Sequence, residues 1–305
     1  MAKTTPSRTA LKIARFMVLL DAMPHLRDVL PTGAAATVER ILLSSQALPA
    51  RQVEGMRSPA TIRFAHLSER LLGQGQLVWF GLRKRWMAEQ VEAAIAAGAR
   101  QLLVLGAGFD PLAAMVAARH PEVLCLELDA PQTAEPKRTG ILRAGLARAN
   151  HQVITADLSR QSLAEALSRS PWNPELRSIL VAEGLLMYLK PAEVKGFFNA
   201  ARALTGTGSR IAFSSVGADE HGNPRLGVLD RPIRFALRLA GEPMHWGIRP
   251  ADVPAFLGHL GFRALAQPTP DSLRERHLAP LGLPDEPLRP YEHLVLAEDV
   301  RVESA

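Results

Sequence analysis

A glycine turn between an apolar run and a short helix constrains this chain most. The apolar run Gln101 to Leu105 precedes the turn Gly106 to Asp110, and a small-residue stretch from Pro111 to Arg119 follows it. A second apolar run, Val123 to Leu128, stops at Asp129. This order of strand, turn, helix, strand and acid is typical of the opening unit of a nucleotide-binding α/β domain.

The two glycines and the acid have separate uses in such a unit. Gly106 allows the backbone to bend tightly, and Gly108 allows a ligand to lie against the backbone with no side chain in the way. Asp129 lies 23 residues after Gly106. A carboxylate at about this spacing accepts hydrogen bonds from a ribose. We therefore expect all three residues to bind a nucleoside.

The turn lacks the third glycine of a dinucleotide fingerprint. Pro111 stands in its place and is preceded by Asp110. A carboxylate beside the turn repels a pyrophosphate at the helix N-terminus and attracts a cation. S-adenosylmethionine carries a sulfonium and an ammonium group but no phosphate, so the turn favours it over NAD as the cofactor. An NAD-dependent dehydrogenase is the second enzyme class, which Asp110 and Pro111 argue against.

Acids also follow the next two predicted strands. Asp157 comes after Gln152 to Ala156, and Glu183 comes after Ser178 to Ala182. Ligands of open α/β sheets bind outside the carboxyl ends of the strands. We expect Asp157 to contact the adenine amino group, and Asp110 and Glu183 to face the cationic groups.

Two other readings of these acids stay open. A single acid at a strand end is more often a helix N-cap. A row of carboxylates could also bind a divalent metal, but the acids come one per strand without an adjacent histidine, so we expect no metal.

The rest of the chain predicts a doubly wound α/β domain that follows a helical segment. Residues 1–100 are helical with breaks at prolines and glycines, and the last helix there covers Arg83 to Ala97. Three cations, Arg83 to Arg85, then stand at a helix N-terminus, where they need solvent or an anion. A helical pattern starts at Lys137, and residues 226–261 supply further helices. The remaining predicted strands are Arg210 to Val216, Phe262 to Ala266 and His293 to Ala297.

Composition limits the class of protein. The 305 residues are 47% hydrophobic and 22% charged, as in an ordinary globular protein. The single cysteine, Cys125, lies in an apolar run and fits a reducing compartment, so we expect a cytoplasmic location. The run Phe16 to Leu20 is too short for a secretory signal, and we expect no membrane partner.

Positive charge is concentrated near the N-terminus. Residues 1–100 hold 14 Lys and Arg against 7 Asp and Glu. Such a segment steers an anionic substrate or nucleic acid, or it is a solvated helical surface. Base-methylating enzymes carry an Asn/Asp-Pro-Pro-aromatic tetrad after the fourth strand, and this chain has Ala182 to Leu185 there. A nucleic-acid methyltransferase therefore stays an alternative that this position argues against.

Three segments together resemble the leucine carboxyl methyltransferase family of class I S-adenosylmethionine-dependent methyltransferases. They are Gln101 to Asp110, Glu127 to Pro131 with Lys137, and Ala182 to Leu189. The pair Asp157-Leu158 and an arginine 18 residues before Gln101, Arg83, also fall where that family has them. The resemblance is good over residues 83–216 and looser elsewhere.

The resemblance implies a Rossmann-like, seven-stranded, mostly parallel sheet. A helical cap would cover residues 1–82, and a methyltransferase core 83–305, with a helical insertion at about 217–261. S-adenosylmethionine would be held by Arg83, through its methionine carboxylate, and by the further residues Gly106, Asp129, Asp157, Leu158 and Glu183. Known family activities are O-methylation of carboxylates, on a protein C-terminal leucine or on small polyketide-type acids.

The acceptor stays open because the chain departs from the family pattern. The usual threonine and arginines after the turn are missing from Pro111 to Met115, and the Asp-Pro signature of the N-terminal region is hard to find. We expect a carboxylate or hydroxyl of a small molecule or peptide. A carboxylate needs no general base, whereas a hydroxyl could use His245. The residues that could line the acceptor pocket are Tyr188, Ser214, Ser215, His245 and Trp246.

Neither a catalytic residue nor an oligomeric state follows from the sequence. A non-catalytic binding protein that has kept the fold is the non-enzyme alternative.

Overall fold

The computed structural model describes residues 5–158, 160–220, 222–225 and 243–301. Its helices include α1 (Arg8–Asp21), α2 (Ala34–Ser45), α3 (Ala50–Glu54), α4 (Pro59–Leu72), α5 (Gln76–Ala96), α6 (Leu112–Arg119), α7 (Pro131–Arg143), α8 (Leu163–Leu167) and α9 (Pro191–Ala203). Two short helices follow, Val253–His259 and Pro270–Leu273. The strands are β1 (Gln101–Leu105), β2 (Leu124–Asp129), β3 (His151–Thr155), β4 (Ser178–Ala182), β5 (Arg210–Ser215), β6 (Gly217–Ala218), β7 (Pro224–Arg225), β8 (Phe262–Ala266) and β9 (His293–Asp299).

Seven strands form one sheet in the order β3-β2-β1-β4-β5-β9-β8. β1 with β4, β2 with β3, and β4 with β5 pair in parallel, and β9 pairs antiparallel with β5 and β8. The predicted fold class, a Rossmann-like and mostly parallel seven-stranded sheet, is confirmed. β4 is buried along its whole length, as expected for a central parallel strand.

The chain divides into two compact units. The first comprises Met1–Glu89, Ala107–Asp157 and Thr269–Pro290. Within it α2 packs against α7 at Gly140, where a Cβ would lie 2.6 Å from the carbonyl oxygen of Ile41. Only glycine allows the two helix backbones to approach this closely.

The second unit comprises Gln90–Gly106, Leu158–Pro268 and Tyr291–Ala305. Its apolar interior includes a cluster of rings centred on Phe198, which meets Phe213, Phe256 and Phe262 edge-to-face at centroid distances of 5.4, 5.7 and 5.6 Å. Such pairs add to the free energy gained from burying the rings themselves. β5 is thereby anchored against α9 and the helix Val253–His259.

The helix predicted from Arg83 begins earlier, at Gln76. Its N-terminus is capped from α4, because the Glu69 carboxylate accepts hydrogen bonds from the amides of Leu77 (2.7 Å) and Gly75 (3.4 Å). The cations Arg83 to Arg85 therefore lie well inside the helix, and the expected conflict with the helix dipole was wrong.

The helix predicted from Lys137 also begins earlier, at Pro131. Pro131 occupies the first turn, where a missing amide costs nothing, and Pro136 is accommodated inside the helix.

The division into a cap at 1–82 and a core at 83–305 stays a prediction. In the predicted insertion at about 217–261, the strands β6 and β7 form a two-stranded sheet and Val253–His259 is a helix. The helices predicted for 226–242 lie outside the described residues. No helix of the described residues combines the length and apolar content needed to cross a bilayer.

Candidate functional site

Both glycines of the turn adopt left-handed backbone conformations. φ is +61° at Gly106 and +49° at Gly108, values that residues with a Cβ atom rarely adopt. A Cβ at Gly108 would lie 3.1 Å from the Cβ of Ala10, and one at Gly106 would lie 3.0 Å from Cδ1 of Leu185. The backbone conformation therefore favours glycine at both positions, and an added Cβ would also make a tight contact at each.

Asp129 lies at the end of β2 against the turn. Its Oδ2 accepts a hydrogen bond from the amide of Gly108 (2.6 Å), and its Oδ1 accepts one from the amide of Ala130 (2.7 Å). Burial raises the pKa of Asp129, and the two amide hydrogen bonds offset only part of that rise. The structure thus places two predicted cofactor residues, Gly108 and Asp129, in direct contact.

Asp110 already has a cationic partner. Its Oδ2 forms a buried ion pair with Nζ of Lys84, and its Oδ1 accepts a hydrogen bond from the amide of Leu112 (2.8 Å) at the start of α6. Burial raises the pKa of this carboxyl group, but the Lys84 charge and hydrogen bond outweigh that effect, so the pKa lies below its usual range. The charge that the sequence analysis assigned to a ligand is balanced inside the protein.

A second buried lysine lies beneath the same turn. Nζ of Lys137 pairs with the carboxylate of Glu127 and donates hydrogen bonds to the carbonyl oxygens of Asp110 (2.6 Å) and Ala107 (3.3 Å). His151 Nε2 contacts the other oxygen of Glu127 at 2.8 Å. Burial raises the pKa of Glu127, but Lys137 and His151 together hold it below the usual range.

The cations at the middle of α5 point into the protein. The Arg83 side chain is 3% exposed, and its guanidinium carbon lies 4.9 Å from the centroid of the Phe80 ring. Arg85 donates hydrogen bonds to the carbonyl oxygens of Val29 (2.9 Å) and Leu30 (2.9 Å). The three cations of this segment therefore have separate environments, and Lys84 is the one that binds the glycine turn.

The second unit contains the loop that follows β4. The amide of Gly184 donates a hydrogen bond to Oγ of Ser214 (2.8 Å), and the half-buried Glu183 precedes it. The chain then turns through Leu186–Tyr188, where the buried Met187 and Val216 form a cluster with the half-buried side chains of Tyr188, Met244 and Tyr291.

The other predicted site residues differ in exposure. Asp157 is half-buried after β3, and the next residue, Leu158, is exposed. The His245 side chain is exposed, whereas Trp246 is buried against Phe256 at a centroid distance of 5.7 Å. Trp246 is thus a packing residue.

Ser215 and His293 face each other across β5 and β9. Ser215 is buried, and within the described residues its Oγ has no hydrogen-bond partner. Burial lowers the pKa of His293, and the neighbouring Glu292 offsets part of that effect. Lys84 was expected to need solvent or an anion, and its anion is Asp110. Tyr291, Met244 and His293 were not predicted to belong to the site, and no sequence motif marks them. Within the described residues no group of three acidic, histidine or cysteine side chains could hold a metal ion.

Comparison with known proteins agrees with this architecture. A solved structure of a DUF574 family protein from Streptomyces avermitilis MA-4680 has a TM-score of 0.56 at 16% identity, over 88% of this chain and 98% of that one. At this identity the likeness shows the fold alone. The described sheet and this likeness agree on a Rossmann-like fold.

The family follows from sequence. The model of the leucine carboxyl methyltransferase family matches residues 40–201, more than half of the chain. A protein of Mycolicibacterium gilvum (strain PYR-GCK), provisionally named an S-adenosyl-L-methionine-dependent methyltransferase, is 31% identical over 65% of this chain and 66% of its own length. One of the same name from Mycolicibacterium paratuberculosis (strain ATCC BAA-968 / K-10) is 30% identical over 67% and 68%.

The chain therefore belongs to the leucine carboxyl methyltransferase family, a family of S-adenosylmethionine-dependent methyltransferases of class EC 2.1.1. The alignments span about two thirds of the length of these two relatives.

Proposed function

We propose that this protein transfers a methyl group from S-adenosylmethionine to a carboxylate oxygen of a small-molecule or peptide acceptor. The contact between the amide of Gly108 and the carboxylate of Asp129 carries the proposal. It joins a glycine turn to an acid at the end of β2, which suits a ribose with two hydroxyl groups. The match to the leucine carboxyl methyltransferase family supports a carboxylate as the acceptor.

The residues at the turn fit the nucleoside part of this cofactor. Ionised Asp129 is an acceptor-only group for the ribose hydroxyls, and Gly106 and Gly108 allow the left-handed backbone conformations of the turn beside it. In this proposal Arg83 binds the methionine carboxylate. Asp157, Leu158 and Glu183 complete the set, with Asp157 on the adenine amino group.

We assign Asp110 a modified role. Because Lys84 neutralises its charge, Asp110 fixes the start of α6 and the end of the turn, and it contributes little attraction for a sulfonium. Selectivity against NAD then rests on Pro111, which occupies the place of the third glycine, because Asp129 would accept hydrogen bonds from the ribose of either cofactor.

Bound S-adenosylmethionine supplies a methyl group on a sulfonium, and the residues of the chain have only to present the acceptor in line with it. A carboxylate is ionised near neutral pH, so it attacks without a general base. We place the acceptor beside the apolar cluster of Met187, Val216, Tyr188, Met244 and Tyr291, whose side chains would orient it and exclude water.

A hydroxyl acceptor is the second candidate. It requires a base, and the candidate is His293, which lies at the start of β9 opposite the last residue of β5 and whose pKa is lowered by burial. The exposed His245 has no comparable surroundings.

Methyl transfer to a panel of acceptors tests the proposal. The purified protein is incubated with methyl-labelled S-adenosylmethionine and aliphatic acids, aromatic acids, peptides ending in leucine, and the matched alcohols and phenols. Methyl esters release methanol in alkali and ethers do not, so alkali-labile label identifies a carboxylate acceptor and alkali-stable label identifies a hydroxyl.

Two results would contradict the proposal. Binding of S-adenosylmethionine without transfer to any acceptor class would favour the non-catalytic reading. Absence of binding would contradict the assignment of the glycine turn to the cofactor site. Asp129→Ala serves as the inactive control.

A further inference from the structure

Lys137 is a fully buried cation whose hydrogen bonds are all used beneath the glycine turn. Its side chain is 0% exposed, and an ammonium group has three N–H donors. One donor meets the carboxylate of Glu127, one the carbonyl oxygen of Asp110 and one that of Ala107. Since no donor is spare, a shift of either carbonyl would leave part of a buried charge unsatisfied.

The three bonds fix the shape of the turn from one side. The carbonyls of Ala107 and Asp110 bracket Gly108, whose own amide points to Asp129. Lys137 therefore holds the residues on both sides of the amide that contacts the proposed ribose acceptor. Lys84 adds a second restraint, because it holds the side chain of Asp110 while Lys137 holds its backbone.

Stability alone does not account for such a group. Burying a lysine and a glutamate costs a large desolvation free energy, and apolar residues of similar volume are often as stable or more stable. A role in setting the conformation of the turn does explain why the ammonium contacts two turn carbonyls as well as its carboxylate partner.

We propose that Lys137 is a positioning residue for the cofactor. It acts through the backbone of the turn, so that affinity for S-adenosylmethionine depends on a side chain that does not touch the cofactor. This inference rests on the proposed function, because it assigns Lys137 to the site that the turn and Asp129 form.

The test compares two buried substitutions in the same network. Lys137→Met with Glu127→Gln removes both charges together, keeps a side chain of similar length, and deletes the hydrogen bonds to the turn. His151→Gln is the matched control. His151 contacts the other oxygen of Glu127, so this substitution leaves the contacts of Lys137 in place. Each variant is first shown to unfold cooperatively, and binding is measured well below its melting temperature.

We expect the double variant to bind S-adenosylhomocysteine at least about tenfold more weakly by calorimetry, a loss typical of a removed supporting contact. The KM for S-adenosylmethionine should rise in parallel, with kcat at saturation within about threefold. His151→Gln should lower the melting temperature with Kd within about twofold. A purely structural role would lower stability in both variants and leave Kd unchanged in both, which would overturn the proposal.

A further variant covers the case in which the double variant does not fold. Lys137→Arg keeps the charge and the pairing with Glu127, but its planar fork cannot reproduce three divergent donors. We expect a Kd about three- to tenfold higher than that of the wild type. An unchanged Kd in this variant would contradict the inference. If the wild type itself failed to bind S-adenosylhomocysteine, the proposed function would fail first, so the two failures are distinguishable.

Discussion

The turn after β1 and the loop after β4 follow paired parallel strands, yet the two are held by different forces. The residues Ala107 to Asp110 are fixed by charged side chains: Lys137 on two carbonyls, Lys84 on Asp110, and Asp129 on the amide of Gly108. The loop after β4 is held by neutral hydrogen bonds and by the apolar packing of Met187. The Gly184 amide donates to Oγ of Ser214, and the amides of His245 and Trp246 donate to the carbonyl oxygen of Met187.

The contrast suggests how the work of a methyltransferase is divided. Hydrogen bonds from or to charged groups are roughly twice as strong as neutral ones and more demanding in geometry. A turn fixed by such bonds suits a cofactor that is the same molecule whatever the acceptor. A loop held by apolar packing and neutral hydrogen bonds tolerates substitution, which suits a side that adapts to different acceptors.

The largest expected effect comes from removing the acid that holds the turn. Asp129→Ala deletes the acceptor of two amides and the proposed partner of the ribose hydroxyls, so we expect affinity for S-adenosylmethionine to fall at least tenfold from a Kd of about 1 μM. Calorimetry measures it. Asp252→Ala is the control, because its ion pair with Arg249 is exposed. An unchanged affinity in Asp129→Ala would remove this residue from the site.

Gly108→Ala is expected to change the free energy of unfolding, and it separates the effect of backbone conformation from that of close approach. Alanine at φ +49° is strained, and its Cβ would lie 3.1 Å from that of Ala10. We expect the free energy of unfolding to fall by roughly 2–4 kcal/mol. Gly145→Ala is the matched control, because Gly145 has a similar φ of +67° with nothing within 4 Å of the added Cβ. Its expected cost is about 1 kcal/mol in denaturant melts. Equal losses in the two variants would show that Ala10 does not constrain the turn.

The fold could be predicted because its main signals are local. The apolar run Ser178 to Ala182 predicts a buried strand, and glycine at 106, directly after another apolar run, predicts a turn. The start of α5 could not be predicted, because its cap is a side chain from another helix, Glu69. Hydrophobic periodicity does not report such a contact.

The network beneath the turn was beyond local inference. A lysine in a helix is almost always solvated, so nothing around Lys137 indicates that it is buried. Its partner Glu127 sits in an apolar strand, two residues before Asp129 and on the same face. The pairing becomes visible only when the strand and α7 are placed together. Similarly, Asp110 was read as a site for a cation from outside, and the cation is Lys84 of the same chain.

A smaller effect is expected at the loop after β4, where two adjacent serines differ. Ser214→Ala removes the acceptor of the Gly184 amide and should cost about 1 kcal/mol of unfolding free energy. Ser215→Ala should be neutral or stabilising, because within the described residues the buried Oγ of Ser215 has no partner. Cofactor affinity should change by less than about threefold in both variants. A large loss of affinity in Ser214→Ala would show that this loop supports the cofactor as strictly as the turn does.

The smallest expected effect is a pH dependence of cofactor affinity and stability, which arises at the turn from the carboxyl group of Asp129. Burial raises the pKa of Asp129, so the folded protein without cofactor takes up a proton there at a higher pH than the unfolded chain does. As pH falls through that raised pKa, the buried carboxylate takes up a proton and its destabilisation of the folded protein is relieved. Cofactor affinity declines over the same range, because a protonated carboxyl accepts hydrogen bonds poorly. Asp129→Asn should therefore flatten the pH profile of Kd on the acid side. The free energy of unfolding of the wild type, relative to that of the variant, should rise as the pH falls, while the cofactor affinity of the wild type declines. Calorimetry and denaturant melts across an acidic pH series measure both. Parallel slopes in the two proteins would mean that the charge of Asp129 does not set the affinity of the turn.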